Sequence, residues 1–227
     1  MTTLFPIPST PQLPILGSEL YFPVRRVYCV GRNYAAHAKE MGHDQRETPF
    51  FFTKPADSLV HSPKSLAYPP MTNELHHEVE LVIAISEEVV EANEHQAADS
   101  IYGYALGIDL TKRDIQAEAK QKGRPWDLSK GFDQSAPITS IQPIAELDEI
   151  TQGFISLSVN QDMRQEGQLK DMLWSPTEII TELSKHITLK PGDLIFTGTP
   201  SGVGVVERGD KIEAKLNQEL ALNFYIE

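Results

Sequence analysis

Cysteine is almost absent: Cys29 is the only one in 227 residues, so no intramolecular disulfide is available and nothing argues for an oxidising compartment. Long apolar runs are missing too. The longest strongly apolar stretch is LVIAI at 81–85, far short of the roughly 20 residues of a membrane-spanning helix. The N-terminus, MTTLFPIPSTPQLP, has no basic segment leading into an apolar one, so export is not expected either. Positive charge is scarce: 20 Lys and Arg stand against 32 Asp and Glu, for a formal charge of -12. Without a basic cluster, nucleic acid is excluded as the expected partner. The Gly-rich TGTPSGVG at 197–204 lacks the GK[ST] ending of a phosphate loop, which excludes that kind of nucleotide site. What these absences leave is a protein expected in the cytoplasm and off the membrane.

With 40% hydrophobic and 23% charged residues the chain has the composition of an ordinary globular protein. Prolines 6, 8, 11, 14 and 23 forbid regular helix near the start, so residues 1–24 read as a Pro-rich extended arm. From residue 25 to 227 there is no linker and no repeat, as expected for one domain. Strands are expected at 26–31, 49–54, 78–85, 103–110, 153–160, 193–198, 211–216 and 221–226. A helix is expected over 176–186, with Ser175 as N-cap, Pro176 at the first position and Glu178 closing a capping box. A second is expected to begin after Asp109 and end at Gly123, and a shorter one in NYAAHAKEMG.

The strand HHEVELVIAI carries two glutamates. Side chains alternate along a strand, so Glu78 and Glu80 share a face about 6.6 Å apart while Val79 and Leu81 take the other. At an effective dielectric near 20 two such carboxylates repel by about 2 to 3 kcal/mol, so a cation is expected between them. Asp109, a lone carboxylate ending an apolar strand, is the best further ligand. Three carboxylates make an all-oxygen set that suits Mg²⁺, with Mn²⁺ or Ca²⁺ as substitutes. A solitary E-x-E equally suits the wet face of a half-exposed strand.

His37 and Glu40 stand i, i+3 on the short helix, where the carboxylate can raise the basicity of the imidazole and make a base for water; a plain surface pair has the same spacing. Arg32 and Asn33 follow a strand and read as substrate-facing or as turn residues. Lys130 falls in a Gly- and Pro-punctuated loop, either to neutralise an oxyanion or to be solvated. The threonines and backbone N–H groups of 197–204 suit a substrate carboxylate. Cys29, inside an apolar strand, reads as a small buried side chain.

Taken in order, VGRNYAAHAKEMG, FFTKP, HHEVELVIAI, GYALGIDLTKRDIQ, GRPWDLSKGFDQSAPI and KPGDLIFTGTPSGVG resemble the fumarylacetoacetate hydrolase superfamily. The likeness is strongest to its short branch of acylpyruvate hydrolases, oxaloacetate decarboxylases and oxaloacetate tautomerases. It implies an α+β fold dominated by a mixed β-sandwich roll with short helices, and a homodimer. It makes Glu78, Glu80 and Asp109 the Mg²⁺ ligands, His37 and Glu40 a catalytic dyad, and Lys130 a catalytic or oxyanion-stabilising lysine. Arg113, Gln116, Thr199, Arg32 and Lys54 become substrate contacts. One departure is visible. The family's Asn-Gly hairpin after LSV reads Asn160-Gln161, without the glycine that a type I′ turn prefers.

The resemblance implies a 2-oxo acid substrate that chelates the metal, which then stabilises the enolate formed when the bond at C3 breaks. The leading expectation is hydrolysis of the C–C bond of a fumarylpyruvate-like acylpyruvate, with oxaloacetate decarboxylase activity. The alternatives are an oxaloacetate enol-keto tautomerase, a 2-hydroxyhepta-2,4-diene-1,7-dioate isomerase, or a non-catalytic metal-dependent binding protein.

Overall fold

The computed structural model describes residues 2–34, 46–144 and 151–227. Its first nine strands are β1 (Gln12–Pro14), β2 (Tyr21–Pro23), β3 (Arg26–Gly31), β4 (Phe50–Lys54), β5 (Leu59–His61), β6 (Ser65–Leu66), β7 (Leu75–His77), β8 (Val79–Ile85) and β9 (Ile101–Ile108). The remainder are β10 (Thr111–Lys112), β11 (Ala136–Ile138), β12 (Gln142–Pro143), β13 (Phe154–Val159), β14 (Asp162–Gln168), β15 (Asp193–Phe196), β16 (Gly204–Val206), β17 (Lys211–Leu216) and β18 (Leu220–Ile226).

An eight-stranded mixed sheet runs β4-β3-β15-β8-β9-β11-β5, with β12 also on β9. A five-stranded sheet runs β14-β13-β17-β18-β6, and smaller sheets are β10-β7-β16 and β1-β2. Alternation along the strands sorts the apolar side chains. On β8, Val79, Leu81, Ile83 and Ile85 enter a core shared with Ile155, Leu157, Ile212 and Phe224 of the five-stranded sheet. Val82 and Ala84 point the other way, into a second core with Val27, Cys29, Leu194 and Phe196. Leu13, Ile15 and Phe22, from the stretch read as an arm, are buried in that second core, while Leu4, Phe5, Ile7 and Leu20 are exposed. This two-layer arrangement is the expected mixed β-sandwich roll.

The expected strands occur with their ends shifted by two residues or fewer, and the strand expected at 78–85 begins at Val79. The chain changes sheets there: β7 belongs to the three-stranded sheet and β8 to the eight-stranded one, with Glu78 at the junction. The capped helix spans Pro176–Ser184, and Ser175 and Glu178 make both bonds of the box. The second helix spans Arg113–Gln121, because Thr111 and Lys112 pair first with His76 and Leu75. Gly123, just past its end, has φ +60, the left-handed conformation that ends helices. Lys130 is not in a loop: it closes a four-residue helix, Asp127–Lys130, and is buried. The helix expected in NYAAHAKEMG falls on 35–45, outside the described residues. Asn160 and Gln161 both take positive φ, 53° and 73°. The Asn160 side chain secures the turn, donating to Asp210 at 2.7 Å and accepting from the Lys211 N–H at 2.9 Å.

Candidate metal centre and substrate cleft

Strand register assembles the carboxylates. In the β8–β9 ladder Val79 lies opposite Ile108 and Glu80 opposite Gly107. One residue further the Asp109 N–H donates to the Glu78 carbonyl at 2.8 Å, which sets Asp109 across from Glu78. Glu80 shares parity with Val82 and Ala84, the opposite of Val79 and Leu81, as the alternation predicts. One carboxylate oxygen from each of Glu78, Glu80 and Asp109 lies within 4.8 Å of the others, and all three residues are buried.

Buried carboxylates need compensating charge. Lys130 Nζ donates to Glu78 Oε2 at 2.8 Å, Asp109 Oδ2 at 2.7 Å and Thr111 Oγ1 at 2.6 Å. Lys54 sits behind Asp109: its ammonium pairs with Oδ1 at 2.8 Å and donates to the carbonyls of Leu110, Lys130 and Ser135. Arg113 donates to Glu78 through Nη2 and to Gln116 Oε1 through Nη1. Burial opposes ionisation of Glu78, but Lys130 and Arg113 outweigh it and hold the carboxyl well below the usual range. Burial likewise opposes the Lys130 charge, yet Asp109 and Glu78 raise its pKa above that of an ordinary lysine.

Glu80 differs. No Lys or Arg pairs with it among the described residues; its Oε2 accepts from the Gly198 N–H at 2.8 Å. Burial, then the nearby charges of Asp109 and Glu78, push its carboxyl well above the usual range. A divalent cation fits this donor set: the donors are all oxygen, they converge, and Glu80 lacks the positive partner its neighbours have. Gly198 has φ +94, and a Cβ there would lie 2.7 Å from the Cβ of Asn33, so glycine is needed to bring that N–H to Glu80.

The cleft beside the carboxylates is lined by Arg32, Arg113, Gln116 and Thr199 of the expected substrate contacts, along with Lys130. Lys54 is not among its lining residues. The Thr199 hydroxyl donates to the Val79 carbonyl at 2.8 Å and accepts from Gln165 at 2.7 Å, and Thr197 donates to the Leu81 carbonyl. Both hydroxyls therefore brace the loop against β8. Gln165 also accepts from His77 Nδ1 at 2.8 Å and the Val79 N–H at 3.1 Å. Asn33, read as substrate-facing or a turn residue, donates to the carbonyls of Trp174 and Thr197 at 2.9 and 2.8 Å and accepts from the Trp174 N–H at 2.7 Å. On the far side of residues 35–45, the Glu47 carbonyl accepts from Trp174 Nε1 at 3.1 Å and the Arg46 guanidinium lies 4.1 Å from that ring's centroid. His37 and Glu40 lie outside the described residues.

Cys29 is fully buried; burial pushes its thiol well up, in keeping with a packing role. Lys120 and Trp126 are among the cleft residues that sequence reasoning did not single out. Lys120 had a signal, since Arg113, Gln116 and Lys120 repeat at i, i+3, i+7 and so share a helix face. Trp126, in an irregular stretch, had none.

A mixed β-sandwich roll with a buried carboxylate triad at the floor of a cationic cleft defines a divalent-metal-binding protein of the fumarylacetoacetate hydrolase type. The chain belongs to that family: residues 26–224 match its profile, described as the fumarylacetoacetate (FAA) hydrolase C-terminal region. Among its relatives is the oxaloacetate tautomerase YcgM of Escherichia coli, 42% identical over 86% of this chain and 90% of that one. A fumarylpyruvate hydrolase of Ralstonia is 45% identical over 73% of this chain and 86% of its own. The solved structure of fumarylpyruvate hydrolase from Pseudomonas aeruginosa, in complex with Mn²⁺ and pyruvate, superposes with a TM-score of 0.96 at 44% identity, covering 99% of both chains.

Proposed function

We propose that this protein is a divalent-metal-dependent enzyme that hydrolyses the C–C bond of acylpyruvates of the fumarylpyruvate kind and also decarboxylates oxaloacetate. The observation that carries the reading is the convergence of buried Glu78, Glu80 and Asp109 within 4.8 Å at a cleft walled by Arg113 and Lys130. The similarity to a fumarylpyruvate hydrolase structure bound to Mn²⁺ and pyruvate supports it. Glu78, Glu80 and Asp109 would hold Mg²⁺ or Mn²⁺. Bound there, the ion supplies Lewis-acid stabilisation of negative charge on the oxygens of a 2-oxo acid.

The side chains divide the remaining work. Lys130, kept protonated by Asp109 and Glu78, acts as a fixed positive charge and hydrogen-bond donor rather than as a base. Arg113 and Gln116, bonded to each other, present one guanidinium and one amide to the substrate carboxylate, with Arg32 and Thr199 on the same cleft. Lys54 holds Asp109 in place from behind. We assign the proton transfer to His37 with Glu40. Oxaloacetate enol-keto tautomerisation is the second reading, favoured by the 42% identity to the E. coli tautomerase.

No helix among the described residues is long and apolar enough to cross a membrane; we read the protein as cytoplasmic. We also read it as a homodimer, with residues 1–24 as an arm. In that stretch Leu4, Phe5, Ile7 and Leu20 are exposed, and exposed apolar side chains of this number favour a partner surface. Light scattering giving a monomer mass at micromolar concentration would argue against this.

The function is tested with Mg²⁺ on an acylpyruvate, on keto-oxaloacetate and on enol-oxaloacetate, using wild type, Glu80→Ala and His37→Ala. Glu80→Ala is expected to lose every activity. His37→Ala is expected to lose hydrolysis and tautomerisation by about 10² to 10⁴ while retaining more of the decarboxylation. Turnover of none of the three substrates by the wild type, with Mg²⁺ bound, would leave a non-catalytic binding protein.

A further inference from the structure

Within the cleft the cations fall into two sets. Lys130 and Arg113 are matched by Glu78 and Asp109. Arg32 and Lys120 line the same cleft, and neither has a carboxylate partner among the described residues. Each rests on an aromatic face instead. Arg32 Cζ lies 5.5 Å from the centroid of Phe50, and Lys120 Nζ lies 5.1 Å from that of Trp126. The two rings meet edge to face with centroids 5.4 Å apart, so both cations stand on one aromatic wall.

That wall is built for the purpose. A Cβ on Gly31 would come within 1.9 Å of Phe50 Cζ, so only glycine lets the ring lie against the backbone that leads into Arg32. Arg32 takes φ 60, a left-handed conformation that costs a non-glycine residue energy and that clusters at functional sites. Lys120 comes from the helix Arg113–Gln121, at a spacing that puts it on the face that also carries Arg113 and Gln116.

We infer that Arg32 and Lys120 form an anion subsite on the Phe50–Trp126 wall that binds a second carboxylate of the substrate, making Lys120 the residue that selects 2-oxo acids with a charged distal end. The inference rests on reading the cleft as a 2-oxo acid site, and it deepens that reading by naming the substrate class. Cation–π contact alone is a weak seat for a charge, whereas a carboxylate offers both cations charge-assisted hydrogen bonds. Lys120 is exposed along much of its length, but burial at its end, then the positive charges of Arg113 and Arg32, lower its pKa to about 8. An arriving carboxylate relieves that repulsion.

The test compares wild type, Lys120→Met and Lys120→Arg in Mg²⁺ on fumarylpyruvate, which ends in a carboxylate, and on acetylpyruvate, which ends in a methyl group. In Lys120→Met the ratio of kcat/KM for fumarylpyruvate to that for acetylpyruvate should fall about tenfold or more, mainly through KM, the effect of losing one charge-assisted bond. Lys120→Arg should recover most of the ratio. A ratio within about twofold of wild type in Lys120→Met would overturn the subsite. A binding arm separates this failure from failure of the catalytic reading. By calorimetry on the Mn²⁺-loaded protein, 2-oxoadipate should bind more tightly than pyruvate in wild type, and the preference should shrink about tenfold in Lys120→Met. That preference in a protein that turns over neither acylpyruvate would refute hydrolysis and keep the subsite; equal preference in wild type and Lys120→Met would refute the subsite.

Discussion

The two walls of the cleft treat charge in opposite ways. At the carboxylate floor Lys130, Lys54 and Arg113 each have an acid within bonding distance, and Asp109 is held by two lysines at once. At the aromatic wall Arg32 and Lys120 have rings and, among the described residues, no acid. A closed network fixes positions to a fraction of an ångström and suits chemistry that must recur identically at each turnover. An open pair of cations is incomplete until something negative arrives, which suits recognition.

The largest effect is expected from breaking the floor. Asp109→Ala leaves two buried ammonium groups short of a partner, so unfolding by denaturant should show a loss of about 3 to 5 kcal/mol, and metal-dependent turnover should vanish. Unchanged stability in that variant would mean that water reaches the lysines and the floor is not closed. Chelation is gentler: removing metal with EDTA and restoring Mg²⁺ to a hundred times its dissociation constant should raise stability by about 2.7 kcal/mol, read as a shift in melting temperature.

The wall is expected to answer to pH near 8. Lys120 is charged below about 8 and neutral above it, held there by burial and by Arg113 and Arg32, with Glu78 pulling the other way and Lys130 adding to the lowering. The fumarylpyruvate-to-acetylpyruvate ratio should therefore be highest below pH 8 and fall as pH rises through it. Lys120→Arg should flatten that profile, and a wild-type ratio constant from pH 7 to 9 would contradict it. A smaller effect comes from Gly31→Ala, which must displace the Phe50 ring at a cost of about 1 to 3 kcal/mol and should weaken the dicarboxylate preference without touching metal affinity. The smallest belongs to Gln161→Gly, remote from both walls. It relieves a left-handed conformation worth about 1 kcal/mol, so the melting point should rise slightly with kinetics unchanged.

Much of the floor was legible because strand parity is a local property. Period 2 put Glu78 and Glu80 on one side, and the end of an apolar strand marked Asp109. Their convergence depends on register between β8 and β9, which no short stretch of sequence contains. Lys130 shows the opposite failure: its Gly- and Pro-punctuated surroundings read as a loop, yet a single helical turn buries it among the carboxylates. Leu13, Ile15 and Phe22 were hidden by the prolines around them, since proline density announces extended chain but not what that chain covers. Lys120 stood in plain view at a helical spacing from Arg113. Its importance shows only when Glu78 and Asp109 have been matched to other cations.

The two tryptophans of the chain occupy informative places. Trp126 forms part of the wall beneath Lys120, while Trp174 is tied by hydrogen bonds to Asn33 and Glu47 on either side of residues 35–45. The molecule thus carries two built-in optical reporters. Indole emission shifts with the local electric field, so a Trp174→Phe protein should signal arrival of charge at the wall through Trp126 alone. A Trp126→Phe protein should leave the emission of Trp174 to register events at the flanks of 35–45. With no dye attached, the two spectra would report on the aromatic wall and on the surroundings of Trp174 separately during one turnover.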